Sequence, residues 1–87
     1  MNLHQLRTFC EVAGVHSFTK AARNLHYAQS TVTSQIQNLE DFLGAPLFER
    51  GSRGIVLTDA GVRLLPYANA MLSLAESAHR HVARSPV

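Results

Sequence analysis

Covalent cross-links and metal chemistry have almost nothing to work with in this chain. Its 87 residues hold a single cysteine, Cys10, so no internal disulfide can form. Cys10 lies among helical apolar residues and is read as core. Tryptophan is absent, Lys20 is the one lysine beside seven arginines, and charged residues amount to 16%. A chain so sparing of charge rests on apolar packing, and its 46% hydrophobic content is ordinary for a globular protein. No apolar run is long enough to cross a bilayer, and no basic-then-apolar leader opens the chain. A cytoplasmic protein with no membrane partner is therefore expected. There is no second cysteine, no glycine-rich phosphate loop and no paired carboxylates in a plausible pocket, so neither an enzyme nor a cofactor is expected. His79 and His81 form a His-x-His, but a helix turns them to different faces, and no metal site is expected.

What is present is helical periodicity, punctuated by caps. Leu3, Leu6, Phe9, Cys10 and Ala13 recur at spacings of three and four, which predicts a helix over about Asn2 to Val15. Ser17 can cap a second helix whose buried stripe is Phe18, Ala21, Ala22 and Leu25. After His26, Tyr27 and Ala28, a third helix runs from about Gln29 to Leu43, with Val32, Ile36, Leu39 and Leu43 on one face. Gly44 and Pro46 end it. Two short extended pieces, Leu47 to Arg50 and Ile55 to Leu57, flank the glycine-bounded tip Gly51-Ser52-Arg53-Gly54 and predict a hairpin. Thr58 then caps a long helix reaching about Ala83, with Ser85 and Pro86 as a fraying tail or linker. This order predicts a mostly α fold: a winged helix-turn-helix of three helices and a two-stranded wing, followed by a long dimerisation helix. The formal net charge of +2 permits nucleic-acid binding without demanding it.

Four segments in register carry a family resemblance. They are Ser17 to Leu25, Gln29 to Glu40, Leu43 to Arg50, and Leu57-Thr58-Asp59-Ala60-Gly61. Together they resemble the N-terminal domain of LysR-type transcriptional regulators. The resemblance implies a sequence-specific DNA-binding regulator that grips an interrupted palindrome near a promoter as a dimer. It divides the chain into a winged helix-turn-helix at 1–58, with the helix-turn-helix at about 18–37, and a linker helix with the start of a tail at 59–87. A C-terminal effector-binding domain follows in that family. The chain stops short of it, so a small-molecule effector is expected only through that missing part. Two rival readings remain: a winged-helix domain of another regulator family, and a helical protein-interaction module.

Within that frame the third helix is the reading element. Gln29, Ser30, Thr31 and Thr33 crowd its first turns, where side chains reach base edges in the major groove. An ordinary solvated helix start would also be rich in such residues. Ser34 stands where many family members have arginine, and Ala28 where many have a capping serine. The helix carries no basic residue, so arginines elsewhere must meet the phosphates. Ser34, Arg53 at the wing tip, Arg50, Thr19 and Lys20 are the candidates for backbone or wing contacts. Arg50 has an equal alternative as a bridge to Glu40.

The long helix carries Leu64, Ala68, Met71, Ala75, Ala78 and Val82 at alternating spacings, broadened by Leu65, Leu72 and His79. This heptad-like stripe predicts a homodimer through the linker helix, with Ala68 and Ala75 at the closest approach. Packing of the stripe back on its own domain is the alternative.

Overall fold

Asn2 opens the first helix with a reciprocal cap. Its side chain accepts from the Gln5 amide at 2.9 Å, while Gln5 Oε1 accepts from the Asn2 amide at 3.2 Å. The computed structural model describes residues 1–83, so the expected tail with Ser85 and Pro86 lies outside the described residues. The order is α1 Leu3–Val15, α2 Phe18–Leu25, α3 Gln29–Leu43, β1 Phe48–Gly51, β2 Gly54–Leu57 and α4 Asp59–Val82.

Each boundary has a chemical cause. Ser17 caps α2 by accepting from the Lys20 amide, and Thr58 caps α4 by accepting from the Gly61 amide, both at 3.1 Å. Gly44 ends α3 in the left-handed region at φ 71°, donating to the Glu40 carbonyl at 2.8 Å. Pro66 lies inside α4 and leaves the Val62 carbonyl without its helical partner. The two antiparallel strands pair Phe48 with Leu57 through to Gly51 with Gly54, leaving Ser52 and Arg53 as the turn. The sequence reading began the first strand at Leu47 and left both glycines in the loop. In the structure the glycines form the last rung of the ladder.

α1 is the hub. Its Leu6, Phe9 and Val12 are buried against Ala21 and Ala22 of α2, Val32, Ile36 and Leu39 of α3, Leu47 and Ala68. Phe48 brings the wing into this core, its ring 5.4 Å from Phe9 and 5.9 Å from Phe18 by centroids. Buried Thr8 donates to Gln35 Oε1, so the one buried polar side chain among the described residues is partnered. Cys10 is half-buried at the edge of the core, not inside it, with Sγ 3.4 Å from Asn69 Oδ1 of α4. Burial raises its thiol pKa above the ordinary value.

α4 packs along α1, with Ala68 fully buried and Leu64, Leu65, Met71 and Leu72 resting on the core. Part of the stripe read from sequence is thus spent on α1 within one copy. Ala68 has no surface left to offer a second copy, because its small side chain lets α1 come close.

Gly61 shows how tight the start of α4 is. A Cβ there would overlap the Leu47 carbonyl oxygen and stand 2.8 Å from Leu57 Cδ2. Gly14, late in α1, has nothing within 4 Å of such a Cβ. Gly61→Ala is expected to destabilise by about 1–3 kcal/mol through overpacking. Gly14→Ala should stabilise by up to about 1 kcal/mol through helix propensity. Urea titrations of both variants check this pair; equal midpoints would mean that α4 is free to shift away from Leu47.

Candidate nucleic-acid interface

Three local features bring polar side chains to one end of the domain. The α2 cap leaves Thr19 and Lys20 exposed on the first turn of that helix. The turn to α3 is closed by His26 in the left-handed region, whose amide donates to Arg23 O at 3.3 Å, and by Tyr27, whose amide donates to Ala22 O at 2.9 Å. The turn is therefore short, and α3 starts beside the N-terminus of α2. Thr19 Oγ1 then donates to Gln29 Oε1 at 3.1 Å, joining the two helix starts.

Gln29, Ser30, Thr31, Thr33 and Ser34 are all exposed on α3. Val32 and Ile36, at the intervening helical positions, are buried and hold this face outward. Ala28 occupies the N-cap position with extended backbone but makes no side-chain cap bond. The Thr31 amide donates to the Ala28 carbonyl at 3.0 Å, and the Gln29 and Ser30 amides before it are left as donors at the positive end of the helix dipole. Such an end suits a phosphate oxygen.

The wing stands on the other side of a groove of about 380 Å³, lined by Thr33, Gln37, Glu40, Phe48 and Arg50 among others. Thr33 and Arg50 thus face a common space from different elements. Gln37 belongs with them, one helical turn beyond Thr33 and exposed. The sequence reading omitted it; its i, i+4 relation to Thr33 was the available signal. Arg53 is exposed at the wing tip. The bridge from Arg50 to Glu40, held open from sequence, is not formed. Glu40 Oε2 instead accepts from the Leu47 amide at 2.7 Å, and among the described residues the only ion pair is Arg80 with Glu76. Arg50 is exposed, and its charge has no carboxylate within bridging distance.

The family described as bacterial regulatory helix-turn-helix protein, lysR family, matches residues 3–62. The chain belongs to the lysR family. It is 47% identical over 78 residues to YwqM, an uncharacterized HTH-type transcriptional regulator of Bacillus subtilis, covering 90% of this chain and 27% of that protein. It is 45% identical over 85 residues to the HTH-type transcriptional regulator HdfR of Yersinia enterocolitica, covering 98% of this chain and 29% of that one. The chain thus spans less than a third of the length of these curated relatives. Among solved structures it is similar to BenM_DBD in complex with benA site 1 DNA, with TM-score 0.89, 43% identity and coverage of 97% and 98% of the two chains. It is likewise similar to the CbnR_DBD–DNA complex, with TM-score 0.86, 41% identity and coverage of 97% and 100%.

In this lysR-family domain the remaining α4 residues singled out from sequence fall into two groups. Leu64, Leu65, Met71, Leu72 and Ala75 are half-buried, whereas His79 and Val82 are exposed beyond the core. A second stripe lies bare on α4: Tyr67 is 69% and Leu74 72% exposed, in step with exposed Ala70 and with Ala78, which the sequence pattern already includes. Spacing alone does not tell which stripe α1 claims, because both are apolar at helical spacing.

The missing cap supplies a test. Ala28→Ser places a hydroxyl where the extended backbone can present it to the first amides of α3. It should stabilise the domain by about 0.5–2 kcal/mol. A thermal melt with no upward shift would mean that those amides are already satisfied by solvent as well as by a cap.

Proposed function

We propose that this lysR-family domain binds promoter DNA as a dimer, laying the start of α3 in the major groove and the wing against the flanking backbone or minor groove. The observation that carries this reading is the exposed polar start of α3, without a side-chain cap, joined to Thr19 by a hydrogen bond and sharing a groove with Arg50 through Thr33. Solved relatives of nearly the same length are complexes with DNA, which supports it. Gln29, Ser30, Thr31 and Thr33 are the base-contact candidates; Ser34, Arg50, Arg53, Thr19 and Lys20 are the backbone candidates. The domain acts by binding and not by catalysis, in the cytoplasm, with 1–58 as the reading unit and 59–87 as the linker. A small-molecule effector would reach it only through further sequence such as its longer relatives carry.

Gln29→Ala should weaken specific binding by roughly 1–3 kcal/mol while changing non-specific binding little. Arg53→Ala should make the log affinity–log salt slope shallower by about one unit per lost phosphate contact. Titrations of labelled duplex at several salt concentrations read both. Equal loss of specific and non-specific binding would make Gln29 a backbone or folding residue, and an unchanged slope would remove Arg53 from the phosphate contacts.

The dimer is assigned to the exposed side of α4. Tyr67, Ala70, Leu74 and Ala78 present an apolar stripe with no cover, and the helix spans about 36 Å at 1.5 Å per residue. Ala75, at the edge of the α1 contact, borders that stripe. Leu74→Glu should yield a folded monomer, since the side chain is 72% exposed and supports no core contact. Sedimentation at micromolar concentration decides; a variant that remains dimeric would place the interface elsewhere on the domain.

A further inference from the structure

β2 has one edge paired with β1, and its other edge faces the corner between α1 and α2. At that corner sits His16, exposed and in the left-handed region at φ 59° and ψ 31°. A residue with a Cβ is strained there, and glycine would not be. His16 bonds both backbone groups of one wing residue. The Ile55 amide donates to the His16 carbonyl at 3.3 Å, and the His16 ring Nδ1 lies 3.2 Å from the Ile55 carbonyl oxygen. That oxygen can only accept, so Nδ1 carries the proton. The side chain thus completes a two-bond rung like that of a neighbouring strand, on an edge that would otherwise be open. One residue earlier there is little room for a side chain, since a Cβ on Gly54 would stand 3.0 Å from the His16 carbonyl oxygen. Gly54 directly follows Arg53, the wing-tip arginine.

We infer that His16 is a positioning residue for the wing: its imidazole clamps Ile55 to the α1–α2 corner and thereby fixes the height of Arg53 beside α3. The root of the wing is already held by Phe48 against Phe9 and Phe18. Ile55 and Leu57 also rest on the core, and at the α1–α2 corner the hydrogen bonds to the hairpin beyond this apolar anchor come from His16. Without the ring bond, the tip keeps its fold and the Ile55 amide bond to the His16 carbonyl, but loses one of the two bonds of the rung and moves more freely. The consequence for binding rests on the DNA-contact reading above; the clamp itself does not.

Two substitutions separate the clamp from simple stabilisation. His16→Gly removes the ring and also relieves the left-handed strain. His16→Asn keeps tolerance for that backbone and places an amide NH₂ where Nδ1 stood, because both nitrogens are attached to Cγ. Three readouts apply to wild type and both variants: the melting temperature, NMR order parameters of the backbone amides from Gly51 to Ile55, and affinity for a short duplex of alternating A·T pairs. His16→Gly should melt no lower than wild type. Its wing amides should fall from about 0.85 toward 0.6 in order parameter. Its affinity should drop roughly three- to tenfold, the worth of one net hydrogen bond. His16→Asn should restore order and affinity together. A His16→Gly wing as ordered as wild type, or an Asn variant as mobile as the Gly variant, overturns the clamp. A wild type that fails to bind the duplex sinks the DNA-contact reading instead, and the order parameters still decide the role of His16.

Discussion

Burial of the Leu6–Phe9–Val12 face of α1 is the constraint from which the other placements follow. Phe9 has no exposed surface, and burying such a side chain contributes about 1.5–3 kcal/mol. α2 meets this face through alanines, which allow close approach. α3 meets it through Val32, Ile36 and Leu39, and the wing through Phe48. Because these elements share one hub, the angle between α3 and the wing is set by packing and not by the loop that joins them. A reading helix and a wing can address one DNA groove and its flank only if that angle is fixed.

Leu47 converts the packing into a rigid connection. Its side chain is buried, its amide is held by Glu40 of α3, and its carbonyl accepts from the Thr58 amide at 3.0 Å. Thr58 Oγ1 also donates to the Pro46 carbonyl at 2.6 Å while capping α4. The end of α3, the base of the wing and the start of α4 therefore meet around a single residue. Gly61 is needed there because the Leu47 carbonyl occupies the place of a side chain. The start of α4 is thereby tied directly to the base of the wing and to the end of α3.

α4 works with two faces. One is committed to α1 through Ala68 and its half-buried neighbours, with Cys10 touching Asn69 at the edge. The other, from Tyr67 to Ala78, is bare. Commitment of the first face fixes the direction in which the second points relative to the start of α3. The spacing between two copies' recognition helices would then follow from the fold of one copy.

The sequence by itself determined the order of elements, because caps and periodicities are local. Ser17, Thr58 and Gly44 mark helix ends whatever surrounds them, and Gly51 and Gly54 mark the hairpin within a residue. It also placed the polar start of α3 on the surface, since Val32, Ile36 and Leu39 claim the opposite side. It could not choose between the two apolar stripes of α4, which differ only in what α1 brings against them. Nor could it choose Glu40's partner: a carboxylate four residues before Gly44 and ten before Arg50 can reach an arginine or a backbone amide, and the chain reversal at Pro46 brought the amide. His16 and Gln37 were passed over for the same reason. Their roles depend on the wing, which reaches them only after it has docked on α1, and contacts between residues distant in the chain are decided by packing and not by spacing.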